Sequence, residues 1–108
     1  LMILVSKRMV PKGFVGVTLY PFIFLKRKDL KHNAELVNHE KIHLEQQREL
    51  FIIFFFLFYF IEWFIKFLKY KDKLKAYKNL SFEREAYLNE NNLYYIEKRK
   101  FWAFLNYL

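Results

Sequence analysis

The sequence predicts an α+β domain that is mainly helical, and three observations carry that reading. Only two Gly and two Pro occur in 108 residues, and neither type follows Pro21, so little interrupts helix over most of the chain. Two strand-like runs stand near the start, ahead of long segments with helical patterning. The length allows one domain, residues 1–108, with one modest core.

The elements follow in order. Leu1–Val5 is a short apolar run rich in strand formers, and Ser6–Gly13 breaks it with Pro11 and Gly13. Phe14–Leu25 is strand-like again, through Val15, Val17, Thr18, Tyr20, Ile23 and Phe24. Pro21 inside that run implies an edge strand or a bent one. A short N-terminal hairpin or small sheet is therefore expected, followed by a basic connector over Lys26–Lys31. Asn33 is a suitable N-cap for a long helix, with Glu35 in its favourable first turn. No breaker separates that helix from the apolar stretch Phe51–Leu68, which only Glu62 and Lys66 interrupt. Ser81 is the expected N-cap of a further helix that ends before Asn91-Asn92. Tyr94–Leu108 reads as a final amphipathic helix, with Ile96, Phe101, Phe104, Leu105 and Leu108 on one side. It is expected to pack over the Phe-rich helix and, as core or as lid, to restrict the site described next.

The chemistry is concentrated in His39-Glu40-Lys41-Ile42-His43, which reads H-E-x-x-H. Residues four apart share a helix face, so His39 and His43 can grip one metal ion. Glu40 projects beside them as a general base, the minimal chemistry of a zinc-dependent hydrolase. The chain has no cysteine, so any metal must be held by His and carboxylates. Catalytic Zn²⁺ takes three protein ligands, and the third must come from elsewhere. Glu83, on a later helix, is the leading candidate, and Ala86 would let that helix approach closely. Glu85 points about 160° away from Glu83, so only one of the two can reach the metal. Glu62 and His32 are the remaining candidates, His32 more in keeping with a surface or outer role. Gln47 lies one turn past His43 and reads as a solvated residue or an orienting one. Tyr87, one turn past Glu83, reads as a packed aromatic or as an oxyanion donor.

These residues resemble the gluzincin metallopeptidases, in which two His and a downstream Glu hold zinc. The Glu83-Arg84-Glu85-Ala86 spacing is similar to the downstream motif of the membrane-embedded prenyl-protease-like and antibiotic-sensor branches. There an Asp usually follows the Ala; here Tyr87 stands in its place, and the second hydrogen-bonding carboxylate of those families is missing from that position. The small size resembles the minigluzincins, and Asn38 before the motif is similar to short bacterial HExxH proteins. The likeness covers roughly residues 34 to 90. It implies a Zn²⁺ cofactor, Glu40 as general base, His39, His43 and Glu83 as ligands, and a peptide or protein substrate. It also implies that a sheet edge lines the cleft, so that a substrate strand pairs near Phe14–Tyr20.

Composition bounds the alternatives. The chain is 55% hydrophobic and 22% aromatic, which excludes disorder. As a helix Phe51–Leu68 would be about 27 Å long, close to the hydrocarbon thickness of a bilayer. Membrane contact, self-association and a soluble core helix are all consistent with it. The net charge of +8 suits nucleic acid or an anionic membrane. No nucleic-acid recognition pattern accompanies it, and the Lys residues cluster after the apolar run, so nucleic acid is the weakest partner. Leu1–Val5 is too short for a signal segment, and the expected place is the cytoplasm or the inner face of a membrane. A non-catalytic membrane-associated protein with a structural or vestigial metal site is the second reading of the whole.

Overall fold

The computed structural model describes residues 2–108 and has the predicted α+β, mainly helical architecture. Strands β1 (Met2–Val5), β2 (Gly16–Leu19) and β3 (Phe22–Leu25) form a small mixed sheet in the order β1-β3-β2. β3 runs parallel to β1, with Ile3 opposite Ile23, and antiparallel to β2, with Thr18 opposite Ile23. The strand-like run Phe14–Leu25 is thus a hairpin. Pro21 lies in its two-residue turn, where no ladder donor is required, and not inside a bent strand.

Helix α1 spans Ala34–Glu49, and the Asn33 side chain accepts from the Leu36 amide, as an N-cap should. The helical stretch does not run on unbroken. Phe51 and Ile52 take φ of +54° and +64°, and α2 (Ile53–Tyr70) leaves at 109° to α1. Left-handed backbone costs roughly 1–2 kcal/mol at a residue with a Cβ, and Ile, being β-branched, is especially unsuited to it. The bend is offset by packing. It lets Leu50 at the end of α1 and Phe55 at the start of α2 enter one cluster with Phe82 and Phe104. A straight helix would carry one of the two away from it. A second cluster, Ile23, Leu25, Leu30 and Leu44, joins the sheet to the other end of α1.

After α2 come α3 (Lys73–Lys78), capped by Asp72, and α4 (Ser81–Asn89). The N-cap of α4 is Leu80, not Ser81. Glu62 on α2 takes over the capping role, accepting from the Ser81 amide at 2.7 Å and the Ser81 hydroxyl at 2.6 Å. Lys66 pairs with Glu62 at 2.9 Å, so the one acid within the apolar run is spent on holding α2 to α4.

The expected helix Tyr94–Leu108 is broken. Only α5 (Tyr95–Lys98) and a 3₁₀ turn (Ala103–Tyr107) form, joined through Trp102 at φ +60°. The break allows two anchors that one straight helix would not. Arg99 enters between Glu49 of α1 and Glu85 of α4, and Phe104 packs 4.7 Å from Phe82. Arg84 also donates to the Tyr107 carbonyl. The segment is therefore a strap across α1 and α4, in the core role and not as a lid: no residue beyond Glu83 lines the 240 Å³ cleft above the HExxH face.

Candidate metal centre

The face of α1 that carries the motif is buried although it is polar. His39, Glu40 and His43 are each about 5–6% exposed. Helical spacing stacks His39 over His43, with ring centroids 4.9 Å apart. Glu83 comes in from α4, whose close approach Ala86, fully buried, permits. Three atoms then converge: His39 Nε2, His43 Nε2 and Glu83 Oε1. Their separations are 3.2 Å between the two imidazoles, 3.2 Å from His43 to Glu83 and 3.4 Å from His39 to Glu83.

The hydrogen bonds behind each ring decide what these atoms present. His39 Nδ1 donates to Glu90 Oε1 at 3.0 Å, since a carboxylate only accepts. That leaves the His39 Nε2 lone pair facing the triangle. His43 Nδ1 lies 2.8 Å from Gln46 Oε1. The Gln46 amide nitrogen donates to the Phe82 carbonyl and to Glu85 Oε1, so its oxygen must be the atom at His43, and it accepts. The His43 Nε2 lone pair therefore also faces inward. With both imidazoles neutral, two nitrogen lone pairs and a carboxylate oxygen meet with no donor among them, an arrangement that calls for a cation, whether a metal ion or a proton on one ring.

The size of the triangle is compatible with a small divalent metal ion. Tetrahedral Zn²⁺ with bonds of about 2.0–2.1 Å places its ligands about 3.3–3.4 Å apart. The three edges are close to that, so the residues present fit the ion in identity, number and spacing. Glu83 is further oriented by Tyr59, whose hydroxyl donates to Oε2 at 2.9 Å. That bond engages the second oxygen and leaves Oε1 for the centre. Burial pushes the Tyr59 phenol far above its ordinary range, with the Glu83 charge adding to the effect, so it remains a donor.

In the metal-free chain the same demand for positive charge falls on His43. Burial opposes a charge there, but the carboxylate of Glu83 overrides it and raises His43 to about 9. Burial likewise acts to raise Glu83, yet His43 and His39 hold it well below the usual carboxylate range.

Glu40 stands apart from the triangle and lines the same cleft. Thr18 of β2 donates to Glu40 Oε1 at 2.7 Å. Gly16 lies close by: a Cβ there would crowd Leu25 at 3.2 Å and make ordinary contact with the Glu40 side chain at 3.5 Å. Glu40 is thus held by the strand, with its other oxygen free of any protein hydrogen bond.

The other residues weighed in the sequence fall as follows, and only Gln47 departs from the favoured reading. Glu85 is fully buried, but bound to Arg99, Tyr95 and Gln46 and not to the metal face. Glu62 caps α4, and His32 is exposed in a 3₁₀ turn. Gln47 is not a solvated residue: it is 1% exposed, donates to the Thr18 carbonyl and accepts from the Tyr20 amide. Tyr87 packs edge-on against His39, with ring centroids 4.6 Å apart. The carboxylate absent from its position is supplied one turn later by Glu90. Asn38 donates to the carbonyls of Asn89, Glu90 and Asn92, which fixes the end of α4 where Glu90 must stand. The sequence reading did not single out Tyr59, Gln46 as a His43 partner, or Glu90. For Tyr59 a signal existed, as it is the only hydroxyl in the apolar run Phe51–Ile61. Gln46 had a local signal too, lying three residues past His43 on the same helix, whereas Glu90 acts across 51 residues, which no local pattern announces. No family model, curated protein or solved structure matched this chain in any of the three comparisons.

Proposed function

We propose that the protein is a zinc-dependent peptidase of gluzincin type. One observation supports the reading: His39 Nε2, His43 Nε2 and Glu83 Oε1 form a buried triangle with edges of 3.2–3.4 Å. The HExxH resemblance adds the reaction class. His39, His43 and Glu83 would hold the ion, which when bound would polarise a substrate carbonyl and acidify an attacking water. Glu40 then takes the proton on its free oxygen as general base and returns it to the leaving amine, while Thr18 fixes the orientation of its carboxylate. Tyr59 keeps Glu83 aligned. β2 is an edge strand beside the cleft, suited to pairing with an extended peptide. Gln47 already occupies the outward Thr18 carbonyl and Tyr20 amide. Alternate residues of a strand point the same way, so pairing falls to Gly16 and the Thr18 amide.

Metal analysis and hydrolysis of quenched fluorescent peptides, run on wild type, His43→Ala and Glu40→Gln, test the proposal. Wild type should hold about one zinc per chain and cleave peptide. His43→Ala should lose both. Glu40→Gln should keep zinc while the rate falls by roughly 10²–10⁴. Zinc binding without hydrolysis by wild type would make the site structural. Equal loss of zinc in Glu40→Gln and His43→Ala would overturn the assigned roles.

A further inference from the structure

Helix α2 is inside out. Its polar groups face the protein: Tyr59 reaches Glu83, Glu62 caps α4, and Lys66 bonds to Glu62 and to the Asn79 carbonyl. Its opposite face holds Ile53, Leu57, Phe60, Ile61, Phe64 and Leu68, which are 44–75% exposed. At 100° per residue these six fall on one side of the helix, and no charged or polar residue is among them. Scattered apolar residues on a surface need no explanation, but a contiguous stripe along a whole helix does. Among the described residues no single helix is long and apolar enough to cross a membrane.

Charge identifies what this face meets. The apolar stripe ends in a lysine cluster: Lys69 and Lys71 at the C-terminal end of α2, then Lys73, Lys75 and Lys78 on α3, all exposed. Among the described residues none of the five lies within ion-pair distance of a carboxylate. Lys75 and Lys69 instead lie over the Tyr70 ring, at 4.7 and 5.2 Å. A second copy of the chain offers that end only scattered carboxylates. Of its eleven acids, only Asp29, Glu35, Asp72 and Glu97 are exposed, and Asp72 is already the cap of α3.

We infer that α2 docks on an anionic lipid surface, its apolar stripe in the acyl boundary and the lysine cluster against headgroup phosphates. A helix lying in the interface with lysines and aromatic residues at its border is the expected form of such contact. The inference does not depend on the metal.

Sedimentation of the full chain with vesicles tests it. Phosphatidylcholine vesicles with and without about 30% phosphatidylglycerol are compared at about 0.1 M and 0.5 M salt. Three chains are used: wild type, the double variant Phe60→Ser/Phe64→Ser, and a variant with Lys69, Lys71, Lys73 and Lys75 changed to Gln. Wild type should pellet with the anionic vesicles at low salt. The serine variant should bind at least about tenfold more weakly at either salt. The glutamine variant should lose the preference for anionic lipid and the salt dependence. Circular dichroism and zinc content should match wild type in both variants. Wild type left in the supernatant with both vesicle types would overturn the inference. So would unchanged binding by the serine variant. A lipid-free dimer that the serine substitutions dissociate, without vesicle binding by wild type, would replace the bilayer with a second copy. Retained zinc in any of these outcomes leaves the peptidase reading untouched.

Discussion

Helices α1 and α2 are neighbours in the chain and opposites in physics. α1 buries nine residues, of which seven are polar: Asn38, His39, Glu40, His43, Gln46, Gln47 and Glu49. α2 is two residues longer, overwhelmingly apolar, and buries one, Phe55. Hydrophobicity therefore does not decide which of them lies inside. α1 can be buried because nearly every polar atom on it finds a partner, and a satisfied network in low dielectric is strong. Among the described residues the fully buried exception is Glu49 Oε1, which has none. α2 is held to the protein by its few polar side chains and leaves its apolar ones outside. The difference teaches that burial here follows the needs of the site, with the apolar surplus turned outward.

The contrast is most sharply broken at Arg99. Its guanidinium, like its two carboxylate partners, is almost wholly buried. Arg99→Ala would leave Glu49 and Glu85 buried without their counter-charge, at a cost of roughly 3–5 kcal/mol. Urea denaturation should show that loss as a lower midpoint. A loss under about 1 kcal/mol would mean the network does not support α1.

The next effect is a pH dependence. Without metal, His43 carries a proton up to about 9, and zinc must displace it. Zinc affinity should therefore rise with pH up to that value and fall about 100-fold from pH 8 to pH 6. The stability of the metal-free chain should run the opposite way. The raised His43 contributes fully below its unfolded value of 6.5, and the contribution is lost as pH climbs through about 9. Competition titration with a chromophoric chelator measures the first, and thermal melts of the metal-free chain the second. An affinity flat across that range would show that no proton is displaced.

A smaller loss is expected at Glu90, which touches no metal ligand atom but fixes the His39 ring. Glu90→Ala should weaken zinc by about 10–100-fold with the fold intact, as removal of such a partner usually does. The same chelator titration reads it, and unchanged affinity would assign the tautomer of His39 to something else. The smallest effect belongs to α2: Leu57→Ser on the outward stripe should change unfolding free energy by no more than about 0.5 kcal/mol. A loss of 2 kcal/mol or more, on the scale of a core truncation, would place that stripe against protein after all.

How legible all this was differs along the chain. His39, His43 and Glu40 could be placed because a helix converts spacing four into a shared face, and Glu83 because its helix returns to the same place. The bend at Phe51–Ile52 was hidden, since neither residue is a breaker and only the joint burial of Leu50 and Phe55 accounts for it. The final segment misled because its apolar residues suit a helix, while Arg99 among them is committed to two carboxylates far off in sequence. Glu85 drew attention as a ligand because it is the second acid of the segment that carries Glu83 and Ala86. Its real partners lie 14 residues ahead and 39 behind, beyond any local pattern. Whether α2 faces inward could not be read either, since an apolar helix looks the same in a core and at a membrane.

The Arg99 strap also sets an order of events during synthesis. Glu49 precedes its partner by 50 residues, and the whole of α2 lies between them. Chains are made at about 5–20 residues per second. After Tyr70 is added, Arg99 therefore follows only about 1.5–6 seconds later. Through that interval α1 holds a carboxylate with no counter-charge, and until Glu83 is added a motif without that carboxylate partner, while α2 is already complete and apolar. The nascent chain has its outer surface before it has its inner one, and the buried polar face can close only when the last elements arrive.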